Sequence, residues 1–239
     1  SSLKHKEVAR AAVRKSLVLL KNDHKTLPLD KKARILVTGK NAHNIGHQCG
    51  GFTIDWQGVS GNSDFPQATS IWQGIKAIAP NAVLKEQLDN IKANDHDIAL
   101  VIIGETPYAE GLGDIREGDN LIIETSSQIN GQINISEPYG SSTELKSLHP
   151  EDYATIKTLT NLGIPVVVVL ISGRTLIINS ELKKSSAFIA AWLPGSEGQG
   201  ISDVIFGDHN FLGKLSFDWP KTVSKNSPTL FPFGFGLHY

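Results

Sequence analysis

The chain predicts an α/β fold, a mostly parallel, doubly wound sheet with helices on both faces, and three observations predict it. Asp97-Ile98-Ala99-Leu100-Val101-Ile102-Ile103 and Pro165-Val166-Val167-Val168-Val169-Leu170-Ile171 are almost uniformly apolar, as strands buried on both faces of a parallel sheet are. Runs of this kind alternate along the chain with helix-like stretches. The 239 residues are 40% hydrophobic and 20% charged, so one large globular domain over residues 1–239 is expected.

Residues 4–15 set Val8, Ala9, Ala12 and Val13 among Lys, Arg and Glu, a helical pattern that gives way to the apolar run Leu17-Val18-Leu19-Leu20. Asn22-Asp23-His24-Lys25 makes a turn. Arg34–Gly39 reads as the first strand of the parallel sheet, followed by a long loop holding Gly46, Gly50, Gly51, Gly58 and Gly61. A loop of that length inside one domain points to function. Ser70–Ala79 predicts a helix that buries Ile71, Trp72, Ile75 and Ile78, and Ala82–Leu84 a short strand. The helix that should lead from there to the strand at 98–103 is poorly marked.

Residues 112–150 are polar and turn-rich, with weak alternation at Leu121–Ile123 and Gln132–Ile135, and read as an excursion, a hairpin outside the sheet. Alternation resumes with a helix near 151–162, which Pro150, Glu151 and Asp152 start well. Then come the strand 165–171, a helix at Thr175–Lys184, a strand at Ala187–Trp192, a helix opening in Gly195–Gly200, and a last extended run, Lys214–Trp219. There is no internal repeat and no low-complexity segment.

Charge excludes some partners. The net charge of −1 balances 23 basic against 24 acidic residues without a basic block, so neither nucleic acid nor an anionic membrane is expected. No 18-residue apolar run exists, and Ser1–Lys6 is not a signal peptide. The single cysteine, Cys49, rules out an internal disulfide. The sequence holds no methionine, even at position 1, which reads as a processed product or a piece of something longer.

The stretch Gly104-Glu105-Thr106-Pro107-Tyr108-Ala109-Glu110-Gly111-Leu112-Gly113-Asp114 places three carboxylates among turn residues directly after an apolar strand. Ligands of open α/β sheets collect at such strand ends, and a carboxylate there could donate a proton. Glu105 should stay near the sheet and brace the loop, whereas Glu110 lies beyond Pro107, far enough to reach across a cleft. Asp114 and Asp119 read as loop-structuring carboxylates.

Other candidates weigh less. Gly39–Gly46 lacks the Gly-x-Gly-x-x-Gly needed for a pyrophosphate, and Glu197 would repel a phosphate at Gly195–Gly200. His43 and His47 have helical spacing for a metal, with Cys49 nearby, but among Asn, Gly and Gln they read as hydrogen-bonded loop histidines. Trp56, between Asp55 and Gln57 in a polar loop, suits either a platform for a sugar ring or a cover for the sheet end.

Six ordered blocks then resemble one family. They are Lys15–Asn22, Gln48-Cys49-Gly50-Gly51-Phe52-Thr53-Ile54-Asp55-Trp56-Gln57-Gly58, Gly104–Glu110, Ile171-Ser172-Gly173-Arg174, Ala190–Gly198 and Phe231-Pro232-Phe233-Gly234-Phe235-Gly236-Leu237. Together they look like the second domain of glycoside hydrolase family 3, in its exo-β-glucanase and β-glucosidase branch, over nearly the whole chain.

The resemblance implies a six-stranded sandwich of flavodoxin- or Rossmann-like layering. It implies a retaining enzyme whose active site lies between this domain and a (β/α)8-type barrel carrying the aspartate nucleophile. By motif, Glu110 takes the acid/base position and Trp56 the clamp on the sugar at the +1 subsite. Phe52 stands where relatives often carry another Trp, and Asp55 and Glu105 complete the expected substrate-binding residues. The substrate would be a β-glucan or cello-oligosaccharide, the location extracytoplasmic, and neither cofactor nor metal is expected. No segment here could serve as the barrel, so the isolated chain should be inactive. The competing readings are a non-catalytic carbohydrate-binding or interaction module of the same fold and, behind it, a nucleotide-binding protein.

Overall fold

In a computed structural model, which describes residues 2–110, 113, 122–129, 132–136 and 142–239, the chain begins with α1 (Leu3–Ser16), capped by the Ser2 hydroxyl. Next come β1 (Val18–Asn22), β2 (Ile35–Thr38), α2 (Ile45–Cys49), α3 (Ile71–Ile78), β3 (Val83–Leu84) and β4 (Ile98–Gly104). Among the described residues, β5 (Ile122–Ile129) and β6 (Gln132–Ser136) form a separate two-stranded antiparallel sheet. Then follow α4 (Leu145–Leu148), α5 (Pro150–Asn161), β7 (Val166–Ile171), α6 (Asn179–Lys184), β8 (Ala187–Trp192) and α7 (Gln199–Ile205). A small antiparallel pair, β9 (Trp219–Pro220) and β10 (Thr229–Phe231), comes last.

The main sheet has six strands in the order β1-β8-β7-β4-β2-β3. Only β1 runs antiparallel to its neighbour. The two-residue period of a strand sorts the buried side chains between two cores. Leu100, Ile102, Val167 and Val169 meet Val13 of α1, Ile71 and Ile75 of α3 and Ile201 and Val204 of α7. Ala99, Val101, Val166 and Val168 meet Leu145 of α4 and Ile156 and Leu159 of α5. With both faces covered, β4 and β7 are buried along their whole length, which is why they read as continuous apolar runs.

Three expectations are corrected. The run Lys214–Trp219 does not join the main sheet; only Trp219 is in a strand, beside β10. The sixth strand is the early run Val18–Asn22, because its apolar residues complete the sheet edge against β8. The helix expected from Thr175 starts at Asn179, since the Ile177 backbone is engaged with residues 143–145: its N–H donates to Thr143 O and its carbonyl accepts from Leu145 N. His47 lies within the short helix α2 rather than in a loop, because Asn44 caps that helix by accepting from the His47 N–H. Between β3 and β4 the helical element of the described chain is a 3-10 turn at Ala93–Asp95.

From β2 the chain steps outward to β3 and then back across β2 to β4, so the strand order reverses between β2 and β4. That reversal opens a crevice at the carboxyl ends of the two strands. The long loop after β2 and the carboxylate loop after β4 both leave from it.

Candidate active site

The carboxylate loop starts where β4 ends, and the Glu105 N–H still donates to Ile171 O of β7 at 2.9 Å. Glu105 is 3% exposed. Its carboxylate accepts from the Tyr108 hydroxyl at 2.8 Å, from Gly173 N at 3.3 Å and from Arg174 Nε at 2.8 Å, so both oxygens face into the protein. Glu110, farther along, is exposed.

Two consecutive residues of the other loop hold Glu110. Trp56 Nε1 donates to Glu110 Oε2 at 2.9 Å. The Gln57 side-chain amide brackets the Ala109–Glu110 dipeptide: its oxygen accepts from Ala109 N at 2.6 Å and its nitrogen donates to Glu110 O at 3.0 Å. The two loops approach closely at Gly51, where a Cβ would stand 2.1 Å from Tyr108 O. That approach leaves a cavity of about 210 Å³ lined by His47, Gly50, Gly51, Phe52, Glu105, Thr106, Pro107, Tyr108, Gly173 and Leu193.

Phe52 is 67% exposed and Ile54 66%, and both hold positive φ angles, 58° and 67°. The backbone bond from Phe52 N to Trp56 O at 2.9 Å keeps this tight turn closed. Asp55 shapes the same turn: its carboxylate accepts from Trp56 N at 2.6 Å and its carbonyl from Gly58 N at 3.0 Å. The site residues expected from the sequence therefore divide. Glu110 and Trp56 are bonded to each other, Asp55 supports Trp56 through the backbone, Phe52 turns its ring to solvent, and Glu105 is enclosed. Asp114 and Asp119 lie outside the described residues.

The histidines are engaged within the protein. His43 Nδ1 lies 2.7 Å from Ser70 Oγ, and His47 bridges Asn41 Oδ1 at 2.6 Å and Ser60 Oγ at 3.1 Å. Burial and the Lys40 ammonium lower His47 to about 4, so it is a neutral wall of the cavity. Among the described residues no cluster of three or more His, Cys, Asp or Glu could hold a metal. At the other phosphate candidate, Gly198 N donates to Thr69 O and Gly200 N to Glu197 O, leaving those amides occupied.

Beneath the loop, Asp152 of α5 accepts from Gly104 N at 3.1 Å and lies 3.3 Å from Lys40 Nζ. Burial outweighs both partners and pushes its carboxyl up to about 7. Tyr108, Arg174 and Asp152 brace the loop without a role assigned to them from the sequence, and Gln57, expected only beside the sugar platform, holds the loop backbone instead. Except for that of Tyr108, their hydrogen-bond partners in the carboxylate loop lie 48 to 69 residues away. The available signal was Arg174 itself, a cation in a turn directly after a buried strand.

The model of the glycosyl hydrolase family 3 C-terminal domain matches residues 17–239. The chain belongs to that family. It is 39% identical to the exo-1,3/1,4-β-glucanase of a Pseudoalteromonas species, with a TM-score of 0.83 over 100% of this chain and 29% of that one. A lysosomal beta glucosidase of Dictyostelium discoideum is 29% identical over 98% of this chain and 29% of its own length. A periplasmic beta-glucosidase of Salmonella typhimurium is 28% identical over 98% of this chain and 35% of its own. A β-glucosidase from Listeria innocua, 21% identical with a TM-score of 0.70, shares the fold. The chain thus spans about a third of the length of these curated relatives, which are glycoside hydrolases. No helix among the described residues is long and apolar enough to cross a membrane.

Proposed function

We propose that residues 1–239 form one domain that supplies the acid/base half of the active site of a retaining β-glucosidase or exo-β-1,3/1,4-glucanase, with Glu110 as the proton donor. The observation that carries this is the setting of Glu110: an exposed carboxyl on a short loop at the sheet's reversal point, fixed through one oxygen and through its backbone by Trp56 and Gln57. Its other oxygen, Oε1, has no hydrogen-bond partner among the described residues and is the one offered to a substrate.

The reaction needs a second carboxyl about 5–5.5 Å from the first, to attack the anomeric carbon while Glu110 protonates the leaving oxygen. In the second step Glu110 takes a proton from the water that cleaves the glycosyl-enzyme bond. A barrel domain docked over the crevice is the proposed source of the nucleophile. Trp56 then borders the +1 sugar, with Phe52 and Asp55 on the same turn beside it, and Glu105 braces the loop from below. β-Glucans, cello-oligosaccharides and simple β-glucosides are the proposed substrates. An extracytoplasmic site fits both a polymeric substrate and the periplasmic relative.

The test joins this chain to its barrel domain and compares wild type with Glu110→Gln and Glu105→Gln on β-glucosides of graded leaving-group acidity. Glu110→Gln should lose about 10²-fold or more on poor leaving groups and far less on activated aryl ones. The chain alone should show no turnover above background. Equal loss of Glu110→Gln on all substrates, or the steeper dependence in Glu105→Gln, would sink the assignment. Intact hydrolysis with weakened sugar binding on changing Trp56 would point to a carbohydrate-binding module.

A further inference from the structure

We propose that Arg174 is the positioning residue for the loop that carries Glu110; the inference rests on the acid/base reading of Glu110 above. Arg174 lies in the turn after β7, and β7 pairs with β4 up to Gly104 opposite Ile171. Its backbone is therefore fixed relative to the point where the loop begins.

One guanidinium reaches three points of that loop. Arg174 Nε donates to Glu105 Oε1 at 2.8 Å, at the loop's start. Nη1 donates to Gly113 O at 2.5 Å, on the far side of Glu110. Between them, the guanidinium carbon lies 4.5 Å from the centroid of the Tyr108 ring, whose hydroxyl donates back to Glu105 Oε2 at 2.8 Å. Trp56 and Gln57 hold Glu110 against the neighbouring loop, while Arg174 ties the loop on both sides of Glu110 to the sheet.

The residue type matters. A planar fork with donors at fixed angles can serve a carboxylate and a carbonyl at once and also stack on an aromatic ring, whereas a lysine ammonium is a point charge that satisfies one of these. A proton donor must sit within hydrogen-bond reach of the leaving oxygen, and a misplacement of about 1 Å costs on the order of 10²-fold. Without Arg174 the loop loses its tie at Gly113 and the ion pair at Glu105.

The experiment uses the barrel-joined protein with Arg174→Met, Arg174→Lys and the double variant Glu105→Gln/Arg174→Met, beside Glu110→Gln. kcat/KM is measured on aryl β-glucosides of graded leaving-group acidity, with the folded fraction fixed by active-site titration. Arg174→Met should lose about 10- to 100-fold on poor leaving groups and less than about 3-fold on the most activated one, with Arg174→Lys between it and wild type. The double variant should keep the loss, because neutralising the stranded Glu105 does not restore the tie to Gly113. Should Arg174→Met fail to fold, Arg174→Lys carries the same leaving-group comparison. A uniform loss on every substrate, or recovery in the double variant, overturns the inference. Steep dependence in Glu110→Gln with none in the Arg174 variants sinks this inference alone. No dependence in Glu110→Gln sinks the reading of Glu110 and the inference with it.

Discussion

Gly104 shows how a single residue lets a strand become a site. It ends β4 with φ at 130°, and a Cβ there would stand 1.9 Å from Ile171 O on the adjacent strand. Its N–H is also the donor to Asp152. Gly104→Ala meets both a backbone clash and a conformation that L side chains avoid, so it should cost about 3 kcal/mol or more, read as a lower urea midpoint. A loss under about 1 kcal/mol would mean that the strand end yields freely. At this scale the sequence distinguishes Glu110 from Glu105 by their distance from the strand, and the structure has one exposed and the other enclosed. The structure also joins Trp56 to Glu110, through a hydrogen bond from the indole N–H. The clamp by Gln57 and the anchor at Arg174 were not legible, because each depends on a partner brought close only by the fold.

Elements whose signal is local were read well, and α3 is the best marked. Ser70 accepts from Gln73 N at 3.1 Å while the Gln73 side chain accepts from Ser70 N at 2.8 Å, a reciprocal cap at the start of an amphipathic run. Ser70 is fully buried and also contacts His43 Nδ1, so Ser70→Ala should destabilise the chain by about 1–2 kcal/mol, measured by denaturant unfolding. An unchanged midpoint would show that α3 is held by its packing alone. The buried strands β4, β7 and β8 were equally legible from their apolar runs. Their neighbours were less so. α6 starts late because Ile177 spends its backbone bonds on residues 143–145, and β1 displaced the later run as the sixth strand because edge pairing depends on what remains unpaired in three dimensions. Neither cause lies within a window of sequence.

For the whole molecule, the order of the strands puts the site at the reversal point and buries several titratable groups beside the sheet. Burial raises Asp152 from 3.8 and Glu181 from 4.5 to about 7, and the Glu181 oxygens have no hydrogen-bond partner among the described residues. Burial also lowers His47 and His149 from 6.5 to about 4, with Lys40 adding to both. The signs oppose. Between about pH 4 and 7 the native carboxyls keep protons that the unfolded chain releases, so their contribution to stability falls as pH rises. Between about pH 4 and 6.5 the unfolded imidazoles take up protons that the native ones refuse, so theirs rises. Two groups of each kind largely offset one another, and Asp152→Asn removes one carboxyl from the balance. The stability of that variant relative to wild type should climb between about pH 4 and 7, by at most about 1.4 kcal/mol per pH unit, and level off above. The new amide beside Lys40 shifts the whole curve and leaves its slope unchanged. Urea unfolding of both proteins across that range measures the slope directly. A difference that stays flat would mean that Lys40, 3.3 Å away, keeps Asp152 ionised throughout and that the ion pair, not burial, governs the root of the Glu110 loop.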